Sequence, residues 1–505
     1  MVTNSRSGPT SERSAAQHAA AADRLRRRLS GRTLGGFRSV AEAEIMPTLF
    51  TIPRNRRLAK QLGEAATTFL ESGANAITRI LPHTEARDWT IHPGFEDGDA
   101  HWEEGSSHQR VGVVFGVRAG DGYAIRATVT RKRVPKGVGA IQRSLSPREL
   151  GICRDVTAQL TALFSETVPP GDEVIIGLAR VFDELVVARH LKHQHDIALN
   201  PGRIFAALRS LAEQTYENRA LAFGCIVDPS RKKEPDPKSR FPEDLLAGKR
   251  FRALSDAYYT SYLVSDQGAV VRFVDLRTEA RELVAAPRNY FPEWCRDLAL
   301  ASRGHRVGMA LTRNGDLLVF DEGTLRFTYR FCRWQYWNHT HLVDLLKNSA
   351  RVQKVPKAVI PRVVSAIYRA ALDVSFRRSG GMFVVLRNRS NVSEIVRAAD
   401  QITHESRTPL TRQFDSALPT MLIQNLPRAL LIELAALDGA VVVSNKGELL
   451  AYGAVLQPKK KGSIDAEEGS RTKAAIGASK YGLAVKVSSD GDITVYVQGK
   501  EFLRV

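Results

Sequence analysis

The stretch GGMFVVL at residues 380–386 is the clearest strand signal near the C-terminus. Two glycines precede five consecutive apolar residues, a short run typical of a strand that is buried on both faces. The segments that follow have apolar residues at helical spacing and predict helices over 391–402 and 426–437. A buried strand followed by helices indicates that this part of the chain folds as a sheet covered by helices.

Further strands are predicted beyond the second helix. Residues 441–444 and 448–456 are apolar stretches on either side of Asn445-Lys446-Gly447, which predicts two strands joined as a hairpin. Strands over 483–487 and 493–497 form a second hairpin at Asp490-Gly491, after a helix at 474–480. The order strand, helix, helix, hairpin, helix, hairpin predicts a mixed α/β fold with a sheet between helices.

The preceding residues mix helices and strands without a fixed period, which predicts an α+β regulatory or binding region. Residues 56–81 and about 341–374 have helical periodicity, and residues 110–131 alternate around a glycine turn. A proline-rich, charged segment at 228–243 marks a loop or a boundary. The predicted division is a tail (1–40), a first part of the α+β region (41–227), a second part (228–345), a connecting helix (346–374) and a C-terminal domain (375–505).

Charge and composition narrow the class of protein. The chain has 505 residues and a net charge of +19, which favours polyanionic partners. Its four cysteines are far apart, as expected for reduced thiols in a cytoplasmic protein, and no apolar stretch is long enough to span a membrane. Residues 1–40 contain eight arginines against Glu12 and Asp23, so we expect a disordered basic tail that could contact nucleic acid weakly.

Two short motifs in the C-terminal region suggest nucleotide chemistry. Asp438-Gly439 places a carboxylate beside a residue without a side chain, where a divalent metal and a ligand could approach the backbone. Residues 470–473, Ser-Arg-Thr-Lys, gather two hydroxyls and two cations at the start of a helix, a setting that binds phosphate. Spacing alone also allows an ordinary turn and an ordinary helix start.

These motifs resemble the diadenylate cyclase (DAC, or DisA N-terminal type) family over residues of about 375–498. Gly380-Gly381 resembles the family's glycine pair before a strand, and 438–440 resembles its Asp-Gly-Ala motif. Residues 469–474, Gly-Ser-Arg-Thr-Lys-Ala, resemble its Gly-Thr-Arg-His-Arg-Ala motif. The three motifs occur in the family's order at compatible spacing. The resemblance covers about a quarter of the chain.

The resemblance implies a nucleotidyltransferase that binds one ATP per protomer and uses Mn²⁺ or Mg²⁺. Two protomers would face each other as a homodimer, or within a higher oligomer, and join two ATP molecules into cyclic di-AMP with release of pyrophosphate. The region before the domain would be a sensor. The implied catalytic residues are Asp438, Arg471 and Lys473, with Asp438 also holding the metal. The implied nucleotide-binding residues are Gly381, Gly439, Ala440, Gly469, Ser470 and Thr472.

The sequence departs from the family pattern in ways that leave alternatives open. Thr472 replaces the family's histidine, Lys473 replaces its second arginine, and Asp490 stands near a position where the family has an acidic residue. The alternatives are an inactive nucleotide sensor of the same fold and a nucleic-acid-binding regulator that uses the arginine-rich tail. Residues 254–257 and the strands after them also resemble 437–440 with its hairpin, which would fit a degenerate copy of the same fold.

Overall fold

The computed structural model describes residues 52–71, 77–79, 103–104, 112–119, 123–131, 146–164, 172–231, 240–281, 283, 286, 288–352, 355–402, 412–413, 422–458 and 469–505. The predicted basic tail lies outside these residues. The fold is mixed α/β, as predicted. Within the described part, no helix has the length and apolar character that crossing a membrane requires.

The first part contains a helix, a four-stranded antiparallel sheet and three more helices. The sheet has the order β1–β4–β3–β2, and Ala119 pairs with Tyr123 across the predicted hairpin. The elements are α1 (Ile52–Glu71), β1 (Ile77–Arg79), β2 (Glu103–Glu104), β3 (Gly112–Ala119), β4 (Tyr123–Arg131), α2 (Pro147–Phe164), α3 (Asp172–His195) and α4 (Pro201–Ala212). The predicted helix over 56–81 is therefore too long at its C-terminal end.

The middle sheet has seven strands in the order β13–β12–β11–β10–β7–β8–β9. Only the pair β7–β8 is parallel, and the other neighbouring strands are antiparallel. Its strands are β7 (Phe223–Asp228), β8 (Thr260–Ser265), β9 (Val270–Asp275), β10 (Val307–Leu311), β11 (Leu317–Asp321), β12 (Thr324–Arg330) and β13 (Arg333–Tyr336). The associated short elements are β5 (Thr215–Tyr216), β6 (Arg219–Ala220), α5 (Glu243–Ala247), α6 (Lys249–Leu254), α7 (Leu276–Ala280) and α8 (Arg296–Ala301).

The C-terminal sheet has six strands in the order β16–β15–β14–β17–β18–β19. Its elements are α9 (His339–Val352), α10 (Ile360–Arg377), β14 (Gly381–Leu386), α11 (Val392–Ile395), α12 (Arg428–Ala436), β15 (Ala440–Val443), β16 (Leu449–Ala454), α13 (Ser470–Ala478), β17 (Gly482–Val487), β18 (Ile493–Val497) and β19 (Lys500–Arg504). The predicted strand GGMFVVL is central and buried. The helical sequence over 341–374 forms two helices, because a proline at 356 interrupts it.

The alternation of side chains along these strands divides the core. Phe383, Val385 and Val485 face α10 and α12 and share one continuous hydrophobic core with residues of the middle sheet, including Phe320 and Leu325. Residues at the intervening positions, such as Met382 and Ala484, form a separate core with α13. The C-terminal sheet is thus covered by helices on both faces, as the sequence predicted.

The middle and C-terminal sheets have the same topology. In both, the central strand pairs on one side with a parallel strand that returns as a hairpin. On its other side it pairs with the first of a series of antiparallel strands, four in the middle sheet and three in the C-terminal sheet. The turns also match. Ser265 Oγ accepts a hydrogen bond from Ala269 N at 3.0 Å, as Ser444 Oγ does from Glu448 N at 3.2 Å. The structure therefore contains two copies of one strand order, in agreement with the copy suggested by the sequence.

The register of the two sheets corrects the position of the repeat. Cys225 and Phe383 occupy equivalent places, and their parallel neighbours are Tyr262 and Val441. Counting back three residues from each neighbour places Tyr259, and not Asp256, at the position of Asp438. The four-residue motif could not give the correct alignment of the two copies, because the connection before β8 differs in conformation from the connection before β15.

Candidate nucleotide site

The site forms where α12 ends and β15 begins. The carboxylate of Asp438 is almost fully exposed, at 98% of its free side-chain area. Gly439 follows with a φ of +133°, and a Cβ atom built on it would lie 2.6 Å from the backbone nitrogen of Ala454. Only glycine fits this close approach of two chain segments. Gly439 therefore lets the chain turn sharply into β15 and projects Asp438 into solvent.

The start of α13 forms the second part of the site. Gly469 precedes the helix with extended backbone, and among the residues that the structure describes no side chain caps the first turn. Gly469 and Ser470 are exposed, so the N–H groups of this turn face solvent at the positive end of the helix dipole. Such a turn has the donors and the field that a phosphate group requires.

The fold brings the two parts together. Arg471 Nη2 donates to Asp438 Oδ1 at 3.3 Å, which joins the start of α13 to the end of α12. Gly380 has a φ of +67° and lies directly beneath the Arg471 guanidinium, which a Cβ atom at this position would displace. A carboxylate, a guanidinium and a free helix start thus share one open surface.

The other predicted site residues differ in their surroundings. A Cβ atom on Gly381 would lie 2.7 Å from the carbonyl oxygen of Ala435, so this glycine permits close packing of α12 on β14. Ala440 is buried as the first residue of β15. Thr472 and Lys473 are half-buried in the first turn of α13. The contacts of these residues with a nucleotide remain predictions.

Lys486 is a site residue that the sequence analysis missed. It lies on β17, and its ammonium group donates to Thr472 Oγ1 at 2.8 Å. No carboxylate within the described ranges forms an ion pair with it. The signal in the sequence was a lysine inside the otherwise apolar strand 482–487, Gly-Leu-Ala-Val-Lys-Val. Lys486 adds a cation beside the residue that replaces the family's histidine.

A divalent metal fits this site through Asp438. Mg²⁺ commonly binds through one or two carboxylates together with substrate phosphates and water, and Asp438 offers an exposed carboxylate beside the first turn of α13. The described residues contain no cluster of three or more metal-ligating side chains. Asp490 lies on the β17–β18 turn, where its carbonyl oxygen accepts from Arg330 of the middle sheet at 3.4 Å. Substrate phosphates would therefore have to complete the coordination.

The middle sheet lacks these groups at the equivalent places. Tyr259 stands where Asp438 would be, and the Arg277 guanidinium lies 4.8 Å from its ring centroid. Ser302 and Ser479 both follow the helix that precedes the first antiparallel strand, α8 and α13, but α8 begins only at Arg296 and a separate turn of 3-10 helix (Glu293–Cys295) precedes it. Of the two sheets, the C-terminal one therefore combines an exposed carboxylate with a guanidinium at a helix start.

Comparison with known proteins agrees with this class of site. Residues 369–501 match the family described as DAC, DisA bacterial checkpoint controller nucleotide-binding, which confirms the resemblance found in the sequence. Among solved structures, a hypothetical membrane spanning protein from Bacillus cereus is 22% identical over 32% of this chain and 74% of that chain, with a TM-score of 0.21. DacA from Staphylococcus aureus, a double cysteine mutant, is 21% identical over 28% of this chain and 87% of that chain, with a TM-score of 0.20. No curated protein matches the chain.

Proposed function

We propose that the chain is a diadenylate cyclase that condenses two ATP molecules into cyclic di-AMP and pyrophosphate. The observation that carries the proposal is the contact between Asp438 and Arg471 at the free start of α13. Phosphoryl transfer depends mainly on positioning and on stabilising developing negative charge, and this surface has both a carboxylate and cations. The DAC family match supports a nucleotide as the ligand.

The proposed mechanism assigns separate tasks to the two parts of the site. The ribose 3′-oxygen of one ATP attacks the α-phosphorus of the other, the bond from that phosphorus to the bridging oxygen breaks, and pyrophosphate leaves. Asp438 orients the 3′-hydroxyl and takes its proton, either directly or through water. Arg471, Lys473 and the first N–H groups of α13 stabilise the charge on the phosphates, with Lys486 beside them. Repetition of the step with the roles exchanged closes the ring.

A divalent cation, Mn²⁺ or Mg²⁺, would bind Asp438 and the phosphates and supply charge neutralisation there. Each site holds one ATP, so cyclisation requires two protomers with their sites face to face. The exposure of Asp438 and Ser470 leaves this surface open for such a homodimer. Residues 41–345 would act as the sensor region of a cytoplasmic signalling protein, and the predicted domain boundaries form part of this proposal.

Two alternatives make different predictions. The replacement of the family's histidine by Thr472 favours an inactive nucleotide sensor, which would bind ATP without releasing pyrophosphate. A nucleic-acid-binding regulator would bind DNA or RNA with a steep salt dependence that disappears on removal of residues 1–40.

The deciding experiment is incubation of the full chain with ATP and Mn²⁺ or Mg²⁺, followed by chromatography of the products. Asp438→Asn is the test variant, since its side chain is exposed and the fold should tolerate the change. Glu501→Gln, at an exposed carboxylate on the edge strand β19, is the matched control. Cyclic di-AMP from wild type and control, and none from Asp438→Asn, is the expected result. If the protein binds ATP but forms no product, the inactive nucleotide sensor is the correct alternative. If it neither binds ATP nor forms product, both the cyclase and the sensor are contradicted.

A further inference from the structure

A cavity of about 650 Å³ lies at the end of the middle sheet where β11 turns into β12. The first turns of α2 and α9 and the β11–β12 turn form its walls. Its volume is in the range of pockets that hold small molecules. The residues that determine its chemistry are Arg148, Arg288, Asn289, Arg303, Arg326 and His339.

Arg326 is the most informative residue of this cavity. Its side chain, on β12, is only 15% exposed. It forms an ion pair with the Asp321 carboxylate, whose Oδ2 lies 3.7 Å from Nε, beyond hydrogen-bond distance. The Arg326 guanidinium makes no hydrogen bond within the described part of the chain, and its Nε atom is buried. A guanidinium has five N–H donors, and burying a donor without a hydrogen bond is unfavourable. Oxygen atoms of a bound ligand would provide the acceptors that this side chain lacks.

Two helix N-termini line the same cavity. Ser146 and Glu149 cap α2 reciprocally, with Ser146 N donating to Glu149 Oε2 at 2.7 Å. Asn338 Oδ1 accepts from His341 N at 3.2 Å and so caps α9. Both helices are long, and the positive ends of their dipoles add to the field of the arginines.

The carboxylates in the cavity wall are already engaged. Glu149 Oε1 accepts from Asn338 Nδ2 at 2.6 Å, Glu322 pairs with Arg148, and Asp344 pairs with Lys347 at 3.1 Å. Arg288, at the exposed rim, forms no ion pair within the described residues. The four arginines of the wall (Arg148, Arg288, Arg303 and Arg326) exceed its three carboxylates by one, so the wall carries a net charge of +1 with its histidines neutral. The uncharged groups of the wall, such as Asn289 and Thr324, offer hydrogen bonds to a polar ligand.

We propose that this cavity binds a polyanionic small molecule of nucleotide size, whose phosphate oxygens accept hydrogen bonds from Arg326 and Arg288. The site is separate from the nucleotide site at Asp438, and its existence does not depend on the proposed cyclase activity. Its wall also contacts the C-terminal sheet through α10. Arg369 Nη2 donates to Asn289 O at 3.2 Å, and His339 Nδ1 lies 2.6 Å from the Tyr368 hydroxyl oxygen.

Binding in the cavity can therefore reach the other site through α10. This helix leads through Arg378 to Gly380, which lies beneath Arg471. A ligand that shifts Asn289 or His339 moves side chains that α10 contacts directly. This regulatory consequence rests on the proposed cyclase function, whereas binding itself does not.

The test is calorimetric titration of the full chain with three probes: inorganic pyrophosphate, ATP and cyclic di-AMP. Binding of pyrophosphate alone would identify the ligand as a free phosphate compound, whereas a preference for ATP or cyclic di-AMP would identify it as a nucleotide. The two cavity variants are Arg326→Gln and Arg288→Gln. Because Arg288 lies at the exposed rim, its substitution should leave the fold intact even if substitution of the buried Arg326 does not. Arg471→Gln removes the guanidinium of the other site, and Arg281→Gln is an exposed control outside the cavity.

The expected result is that at least one probe binds wild type, Arg471→Gln and Arg281→Gln equally. The same probe should bind the Arg326→Gln and Arg288→Gln variants about tenfold more weakly. Failure of every probe to bind, or binding that survives both cavity substitutions, would overturn the proposal. Binding that only Arg471→Gln weakens would also overturn it, because the probe would then occupy the site at Asp438.

Discussion

The Arg471 guanidinium lies 3.3 Å from the Asp438 carboxylate, although 33 residues separate them in the chain. Asp438 is exposed and Arg471 partly so, and exposed ion pairs of this kind contribute only about 0–1 kcal/mol to stability. The pair therefore adds little to the fold. Substitutions at either residue should report on ligand binding and chemistry rather than on folding.

Gly439→Ala should destabilise the protein strongly. The new Cβ atom would meet the backbone at Ala454, which cannot move aside as a flexible side chain could, and the φ of +133° adds strain. We expect a loss of about 3 kcal/mol in the free energy of unfolding, measured by urea denaturation. Gly469→Ala is the matched control, because it has a φ of −63° and no atom within 4 Å of the new Cβ. An equal effect of the two substitutions would contradict the packing argument.

Lys486→Gln should weaken ATP binding while leaving thermal stability unchanged. Its ammonium group lies beside Thr472 on the phosphate-binding turn, and loss of a charged hydrogen bond typically costs about tenfold in affinity. The measurement is the KM or Kd for ATP. Lys486→Arg should retain most of the affinity, and Lys500→Gln, exposed on β19, should behave as wild type. Unchanged affinity in Lys486→Gln would remove Lys486 from the site.

Stability should depend on pH through His339. Burial lowers the pKa of this histidine to about 3, whereas the unfolded chain has a pKa near 6.5. Between these values the unfolded state binds a proton that the folded state excludes, so stability falls as the pH falls from about 6.5 towards 3. The contribution of this residue reaches about 1.4 kcal/mol per pH unit.

The measurement is urea denaturation at pH 7, 6 and 5 for wild type, His339→Gln and His193→Gln. His193 is 55% exposed and is the control. The slope should be shallower in His339→Gln and unchanged in His193→Gln. Equal slopes in wild type and His339→Gln would show that His339 is not the group responsible.

Arg428→Met should destabilise the contact between the two sheets. Arg428 Nε donates to the Asp373 carboxylate at 2.6 Å, and Asp373 is 1% exposed. Burial raises the pKa of Asp373, and Arg428 opposes that shift, so removal of Arg428 leaves the carboxylate buried without its cation. We expect a loss of about 3–5 kcal/mol in urea denaturation.

The double variant Arg428→Met with Asp373→Asn provides the control. It removes both charges and should recover part of the lost stability. Additive effects of the two substitutions would show that the pair is not coupled.

Five of the six strands of the C-terminal sheet were predictable because each has a local signal, whereas the edge strand β19 (Lys500–Arg504) was not predicted. The apolar run at 382–386 and the turns at 445–447 and 490–491 mark three of its elements. Helix ends were less predictable. The helical periodicity over 56–81 continues past Glu71, where the helix ends. Periodicity shows which side chains share an apolar face, but it does not show where the helical hydrogen bonds stop.

The arrangement of the site was only partly predictable. The motifs identified Asp438 and Arg471, but their contact depends on β14 lying between β15 and β17. Lys486 was missed because a single lysine in a strand gives no sign of which side chain lies opposite. The cavity at Arg326 could not be predicted from the sequence, because its wall combines residues that are distant in the chain, from position 146 to position 344.

The repeated topology has a consequence for biosynthesis. A chain that contains the same strand order twice can exchange strands between copies, a known route to misassembly in proteins with similar units. The N-terminal copy leaves the ribosome first and can complete its sheet at Tyr336 before β14 is made. The two central strands, FGCIVD and GMFVVL, also differ in sequence, which reduces exchange between the copies. The order of synthesis and the divergence in sequence together reduce the exchange of strands between the two sheets.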